Sequence, residues 1–514
     1  VTLSTRGSAA GNGDINVLAP ILVDQPTLYP QPELTLDAAG TININAAIGI
    51  NPTASGFNGF SLNLSYDVNR PVFVNAPLYL GGVGLISLAP YDSGLSPLTG
   101  TGFVDGVNFG PNANMGSANP ISTLYTSPPI GGGNGPTNII PIVRMNGSNL
   151  QIDNIIGDIN SPPGIDLRML NGAVLNLTSS AVIDRFSLQD ASTLNLGGSL
   201  SAQDISTSAG STLNVNNGYL VYGHAALGGT LNLSGYASID GADTQLTGVM
   251  NLISDPQFTY GPQVNLRSLK MGANSQINAD AGTYLAFGTS YDSWFLASTP
   301  IVQYDPSVPL SSTGGQFVAD AGATINMTGL PQPAMVIPFS ESFLNGVHVD
   351  LSGLDNRLNT PVTFNVTGYN NQISAYSSQP TAMPTLAIGP QVAINVQGGT
   401  LGPTLHIGEE TYTYNTDSNA RYDSTMNLAF SGKLNISSGG VELYGANVST
   451  AGSTIAVDGA NSGIRLNGRF TSADIYTIQR SNGAGIRLTG LWDNSAVTAS
   501  NAATAAPLNK GNLR

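Results

Sequence analysis

"STLNLGGSLSAQDISTSAGSTLNVNNG", residues 192–218, carries one apolar-Asn-apolar triplet twice, as Leu194-Asn195-Leu196 and as Leu213-Asn214-Val215. The triplet recurs at Leu175-Asn176-Leu177, Leu231-Asn232-Leu233 and Met250-Asn251-Leu252, with steps of 19, 19, 18 and 19 residues. Apolar residues two apart lie on one face of a strand and would scatter around a helix. Between the triplets stand Gly-Gly, Ser-Ala-Gly, Asn-Asn-Gly and Ser-Gly, residues suited to tight corners. A unit of this size is too small to bury its own apolar face, so it has to stack on its neighbours. The triplet therefore returns because the chain has made one turn of a β-solenoid.

That reading predicts an internal core column of Leu175, Leu194, Leu213, Leu231 and Met250, each turn about 4.8 Å above the last. It also places Asn176, Asn195, Asn214, Asn232 and Asn251 in one outward column. Stacked amides can hydrogen-bond from turn to turn as an outer ladder. Asn is equally at home there as a soluble, turn-compatible residue. Either way these positions read as scaffold.

Composition agrees with a turn-rich β protein. The chain has 514 residues, 62 of them Gly, with 41% hydrophobic and only 9% charged residues. Its net charge is −15, and its 16 Lys and Arg are scattered singly, which argues against a nucleic-acid partner. Cysteine is absent, excluding disulfides and thiolate metal sites. The apolar stretch "LGGVGLISLAP" (80–90) is too short and too broken by glycine to be a membrane span. The chain starts at Val1 without a basic or apolar leader, so any export signal is expected to have been removed or to lie elsewhere in a longer precursor.

The N-terminal part keeps a longer register. "INVLAPI" (15–21), "ININAAI" (42–48) and "VFVNAPL" (72–78) align at steps of 27 and 30, with Leu34–Leu36 and Leu62–Leu64 between them, 28 apart. Here "GDINVLAPI" (13–21) followed by "LTLDAAGTININAAIGI" (34–50) resembles the body of filamentous haemagglutinin-type exoproteins, the two-partner secretion adhesins. The likeness is to the body region rather than the secretion domain. Against that domain's Asn-Pro-Asn-Leu and Asn-Pro-Asn-Gly-Ile motifs this chain has only "NPTASGF" at 51–57. The resemblance implies an all-β, right-handed parallel β-helix, here with loop insertions, exported to the surface of a Gram-negative bacterium as an adhesive fibre.

The domain expectation is one β-solenoid over 1–494. It has longer coils in 1–80, a loop-rich insertion at 81–145, regular coils of about 19 residues in 146–260 and interrupted coils in 261–494, before a polar tail at 495–514. Neither end shows a firm cap, which suggests that coils continue in a longer precursor or that copies join head to tail as a filament.

An enzyme on this fold would be a polysaccharide lyase or hydrolase, and needs acids and bases converging on one groove. His224, His348 and His406 are isolated in sequence, and His224 and His348 read as facing solvent or accepting a loop hydrogen bond. The nearest acidic pairs, Asp240 with Asp243, Asp153 with Asp158 and Glu409 with Glu410, lack a glycosidase-like setting. "NTDSNARYD" (415–423) lacks the glycine and terminal Glu of a calcium loop. No catalytic, cofactor-binding or metal residue is assigned. Tyr412, Tyr414 and Tyr422 are candidate glycan contacts, whereas Trp294 in "SWFLA" reads as core. The sequence thus points to a secreted, non-enzymatic β-helical rod, the shaft of an adhesin or the subunit of an extracellular filament.

Overall fold

The computed structural model describes residues 1–6, 13–24, 32–53, 59–67, 70–80, 84–91, 102–114, 122–126, 139–156, 165–254, 261–288, 315–331, 346–351, 354, 357–375, 385–399, 403–408, 426–489 and 492–493. The tyrosines at 412, 414 and 422, Trp294 and the tail 495–514 lie outside them. The described strands form a parallel β-helix. Two compact units are present, the first running from Val1 to Asn232 and the second beginning at Leu233.

In the first unit, from Val174 to Leu227, each turn contains a short strand and a long one. Thr193–Leu196 pairs in parallel with Val174–Leu188 below it and Thr212–Asn216 above it, so that Leu175, Leu194 and Leu213 stand in register. All three are 1% exposed or less. The long strands bend. In Ser199–Thr207 the buried residues are Leu200, Ala202, Ile205 and Thr207, and the alternation slips by one at Gln203-Asp204. Tyr219–Leu227 repeats the slip, with Leu220, Tyr222, Ala225 and Leu227 inward and His224 exposed. A period-2 pattern that skips a place marks a corner, so one turn has three sides with two inward residues on each. Burying a Leu or Ile fully contributes about 1.5–3 kcal/mol, and every turn repeats that contribution.

One corner explains the Gly-Ser-Thr that heads the triplets at 213–215 and 455–457. At Ser208–Ser211 the Ser211 amide donates to the Ser208 carbonyl at 3.1 Å, closing a turn in which Gly210 has φ +83°. Glycine takes that left-handed conformation without strain. Ser211 is wholly buried, and its hydroxyl is satisfied within the same turn by the Ser208 carbonyl at 2.6 Å. Ser275 and Ser453 repeat this bond to Gly272 and Thr450, both at 2.7 Å. Buried polar atoms need such partners.

The stretch 81–145 contributes strands to the coil. Gly84–Tyr91 pairs in parallel with both Ser61–Asp67 and Ser122–Thr126, and Gly102–Phe109 pairs with both Val72–Val74 and Ile139–Asn146. The longer N-terminal register is also paired as a stack, Ile15 with Ile42 and Ile42 with Val72.

The second unit continues the same grammar. Met250, Ile277, Ile325, Phe364, Ile394, Leu434, Ile455 and Ile478 follow one another in register as an inward column. No member is more than 9% exposed. A single short helix, Ser472–Tyr476, interrupts the strands among the described residues. Asp474 fixes it by accepting from the Thr471 and Thr450 amides, each at 2.8 Å.

Candidate functional site

Two kinds of outward column run along the coil. The first is the amide ladder. In the first unit Asn195 donates to Asn176 at 2.7 Å, Asn214 to Asn195 at 2.8 Å and Asn232 to Asn214 at 2.8 Å. Leu231, beside Asn232, is 1% exposed. In the second unit Asn251, Asn278, Asn326, Asn365, Asn395 and Asn435 form a ladder of the same kind, with steps of 2.6 to 3.1 Å. Every step runs from Nδ2 to the Oδ1 one turn earlier. Each step uses one N–H of the donor amide and one lone pair of the acceptor. The columns are uncharged and repetitive, which suits a scaffold.

The second column is different and lies on another face of the second unit. Its strands read Tyr-Leu-Ala, His-Val-Asp, Gln-Ile-Ser, His-Ile-Gly, Glu-Leu-Tyr, Arg-Leu-Asn and Arg-Leu-Thr. Leu285, Val349, Ile373, Ile407, Leu443 and Leu466, the apolar middles, are each 0% exposed, which turns their neighbours outward. Pairing then sets Tyr284, His348, Gln372, His406, Glu442, Arg465 and Arg487 one above another on successive turns. No other described column gathers so many titratable side chains.

Its upper half is an ion-pair chain. Glu442 receives His406 Nδ1 at 3.4 Å and Arg465 Nη1 at 3.1 Å, and it accepts from Asn467 Nδ2 at 3.3 Å. Burial alone would raise the Glu442 pKa, but the hydrogen bond and charge of His406, the charge of Arg465 and the hydrogen bond of Asn467 outweigh it and hold it low. The lower half is more deeply covered. Tyr284 donates to Asp350 Oδ2 at 2.7 Å, and His348 Nε2 lies 2.6 Å from Ser374 Oγ. The Tyr284 and His348 rings meet edge to face, 5.1 Å apart at 85°. Burial pushes the His348 pKa below the ordinary histidine value, with the Asp350 carboxylate pulling the other way.

This column brings together His348 and His406, which look isolated in sequence, with only Gln372 between them. The signal for it was present: an apolar-x-apolar triplet fixes x as outward, and repeats set each x over the last. The acidic pairs singled out in sequence have other settings. Asp240 accepts from Asn265 at 2.7 Å, and Asp153 from Thr178 at 2.8 Å, both as bonds between turns. Asp158, Glu409, Glu410 and the 415–423 loop lie outside the described residues. Among the described residues no group of three or more His, Asp or Glu is placed to hold a metal ion.

No family model, curated protein or solved structure matches this chain.

Proposed function

We propose that this chain is a structural and adhesive β-helical rod, the shaft of a bacterial surface adhesin or the repeating subunit of an extracellular filament. The observation that carries this reading is the pair of amide ladders backed by inward columns. They spend most of the sequence on making one turn bond to the next and leave an outward surface of Asn, Thr and Ser. Such a construction favours length and rigidity over a single reaction centre. The reading supposes secretion to the cell surface and, as partners, further copies head to tail, continuing coils of a longer precursor, or a host glycan or protein.

The runner-up is a glycan depolymerase, a polysaccharide lyase or hydrolase. The titratable column is the observation in its favour. Against it, the two carboxylates there are far apart: Asp350 and Glu442 are separated by three turns, about 14 Å at the usual strand spacing. Paired carboxylates of glycosidases stand about 5 to 9.5 Å apart.

Protease treatment of intact cells that make the protein tests the proposal, together with electron microscopy of the purified chain. Removal of the protein by external protease, and unbranched filaments or rods of constant width on the grid, are the expected results. Protection inside the cell, or release of reducing ends from pectin or alginate by the pure protein, would overturn it.

A further inference from the structure

The upper end of the titratable column is unbalanced in charge. Arg465 and Arg487 face each other in register across one step, about 4.8 Å apart at the usual strand spacing. Arg465 points outward, since Ile464 and Leu466 beside it are 2% and 0% exposed, and Arg487 is exposed. Like charges directly opposite one another on neighbouring strands repel. Glu442, one turn from Arg465, matches one of the two: its Oε1 takes Arg465 Nη1 at 3.1 Å, and its Oε2 lies 3.4 Å from His406 Nδ1. Both oxygens are engaged, and Arg487 stands a further turn away. Among the described residues the Arg487 guanidinium has no ion-pair partner.

The surroundings carry the same sign. Within residues 433–489 five cationic residues, Lys433, Arg465, Arg469, Arg480 and Arg487, stand against three carboxylates, Glu442, Asp458 and Asp474, a net charge of +2 in a chain whose total is −15. Asp474 is 4% exposed and holds the helix, and Asp458 accepts from Ser481 and Asn482, both at 2.6 Å. The field there attracts anions. Of the large apolar side chains exposed among the described residues, only Tyr476 falls in this range, and it lies on the helix. The arginine face therefore has little to insert into a bilayer. Asn467, on the same face as Arg465 and two residues along, adds an amide that can bond a hydroxyl.

We infer that this face binds an acidic polysaccharide, with one uronate carboxylate seated between the Arg465 and Arg487 guanidiniums and Asn467 meeting a sugar hydroxyl. The planar fork of arginine matches a planar carboxylate. Bound there, the carboxylate separates two like charges and supplies the ion pair that Arg487 lacks. Glu442 gives the site a direction: it repels a second uronate placed lower in the column, so the polymer crosses the arginine end and does not run on toward His406. Exposed ion pairs are individually weak and are screened by salt. A single sugar acid therefore binds poorly, and a polymer that presents many gains by avidity. The choice of a polysaccharide as carrier rests on the reading of the chain as an adhesive rod; the arginine pair itself does not.

The test is affinity electrophoresis of the whole folded chain through gels that contain polygalacturonate, dextran sulfate or neutral dextran. Retardation by polygalacturonate is expected at low salt, weakening toward about 1 M salt, with none in neutral dextran. Arg487→Gln should lower the affinity about tenfold, and it removes no ion pair that the fold uses. Arg185→Gln, the same change of charge in the first unit, should leave retardation unaltered. Glu442→Gln removes the repelling carboxylate and should raise the affinity about threefold, a gain that a misfolded protein would not give. No retardation by polygalacturonate, equal retardation of Arg487→Gln and the parent, or retardation by dextran sulfate alone overturns the inference. Binding to phosphatidylglycerol vesicles in place of polygalacturonate does the same. Rods on the grid without retardation would remove this site and leave the rod standing.

Discussion

Asn214 Nδ2 donates to Asn195 Oδ1 at 2.8 Å, and the two residues face each other in register across one turn of the chain. Asn214 in turn accepts from Asn232 at 2.8 Å, so a single amide closes two steps of the ladder. Because every step has the same direction, a replacement can be chosen to remove one half of the function at a time.

Asn214→Ala removes both bonds and strands a half-buried acceptor on Asn195 and a donor on Asn232, a loss of about 1–3 kcal/mol. Asn214→Asp keeps the acceptor for Asn232 but sets a carboxylate against Asn195 Oδ1. It should be destabilising at pH 7 and recover in part once acid protonates the new side chain and gives it a donor. Denaturant midpoints at pH 7 and pH 4 check both variants. An Asn214→Asp protein as stable as the parent at pH 7 would show that the ladder carries no energy.

Leu213 lies one residue away and faces the other direction, fully buried between Leu194 and the next turn. Leu213→Ala should cost about 2–5 kcal/mol, because close-packed turns above and below limit collapse into the cavity. Leu213→Asp buries an unpaired charge and should abolish the cooperative thermal transition of the coil around it. Calorimetry that returns the parental transition for Leu213→Asp would place residue 213 outside the core.

Much of this was legible in the sequence, and for a single physical reason. A repeat whose triplets alternate with period 2 fixes both which residues face inward and which residue lies over which, so Leu194 over Leu175 and Asn195 over Asn176 follow together. On the second side of the turn the triplets read His-Val-Asp, Gln-Ile-Ser or Glu-Leu-Tyr, and the outward residue changes character from turn to turn instead of repeating as Asn does. Steps of 24, 34 and 36 residues separate His348, Gln372, His406 and Glu442, and intervening segments hide the register from a search for constant spacing. The bend at Gln203-Asp204 was hidden too: a corner inside one continuous strand needs no glycine or proline, only a skipped place in the alternation.

Ala191 gives a test of the corner chemistry. Asp190 and Ala191 have φ of +52° and +58°, both left-handed, whereas the equivalent corner one turn earlier uses Asn171 at +54° and Gly172 at +71°. A non-glycine residue held there costs about 1–2 kcal/mol. Ala191→Gly should therefore raise stability by about 0.5–1 kcal/mol, after the greater freedom of glycine in the unfolded chain is subtracted. Gly172→Ala should do the reverse. No atom lies within 4 Å of a Cβ built at Gly172, so its cost would come from the backbone alone. Matched thermal melts decide the matter, and a destabilised Ala191→Gly would count against the turn assignment.

The last prediction concerns acid. His348 has its pKa lowered by burial, so the folded chain binds its proton less readily than the unfolded chain, whose histidines titrate near about 6.5. Stability from this group is complete above that value. It falls as pH drops through about 6.5 toward the folded pKa, because the unfolded state gains the proton first. Below the folded pKa the slope ends. Tyr284 and Asp350 are the titratable groups that face His348, and Asp350 opposes the shift without reversing it. Glu442 acts in a separate window: its folded pKa is held below the ordinary glutamate value of 4.5, so its contribution is present above that pH and is lost as pH falls through the folded value. A plot of denaturant midpoint against pH should therefore decline in two stages, the first setting in as pH falls through about 6.5 and the second below 4.5. His348→Gln, which cannot titrate, should flatten the first stage and spare the second, and Glu442→Gln should flatten the second. If His348→Gln retained the parental slope just below about pH 6.5, the loss of stability there would belong to other groups.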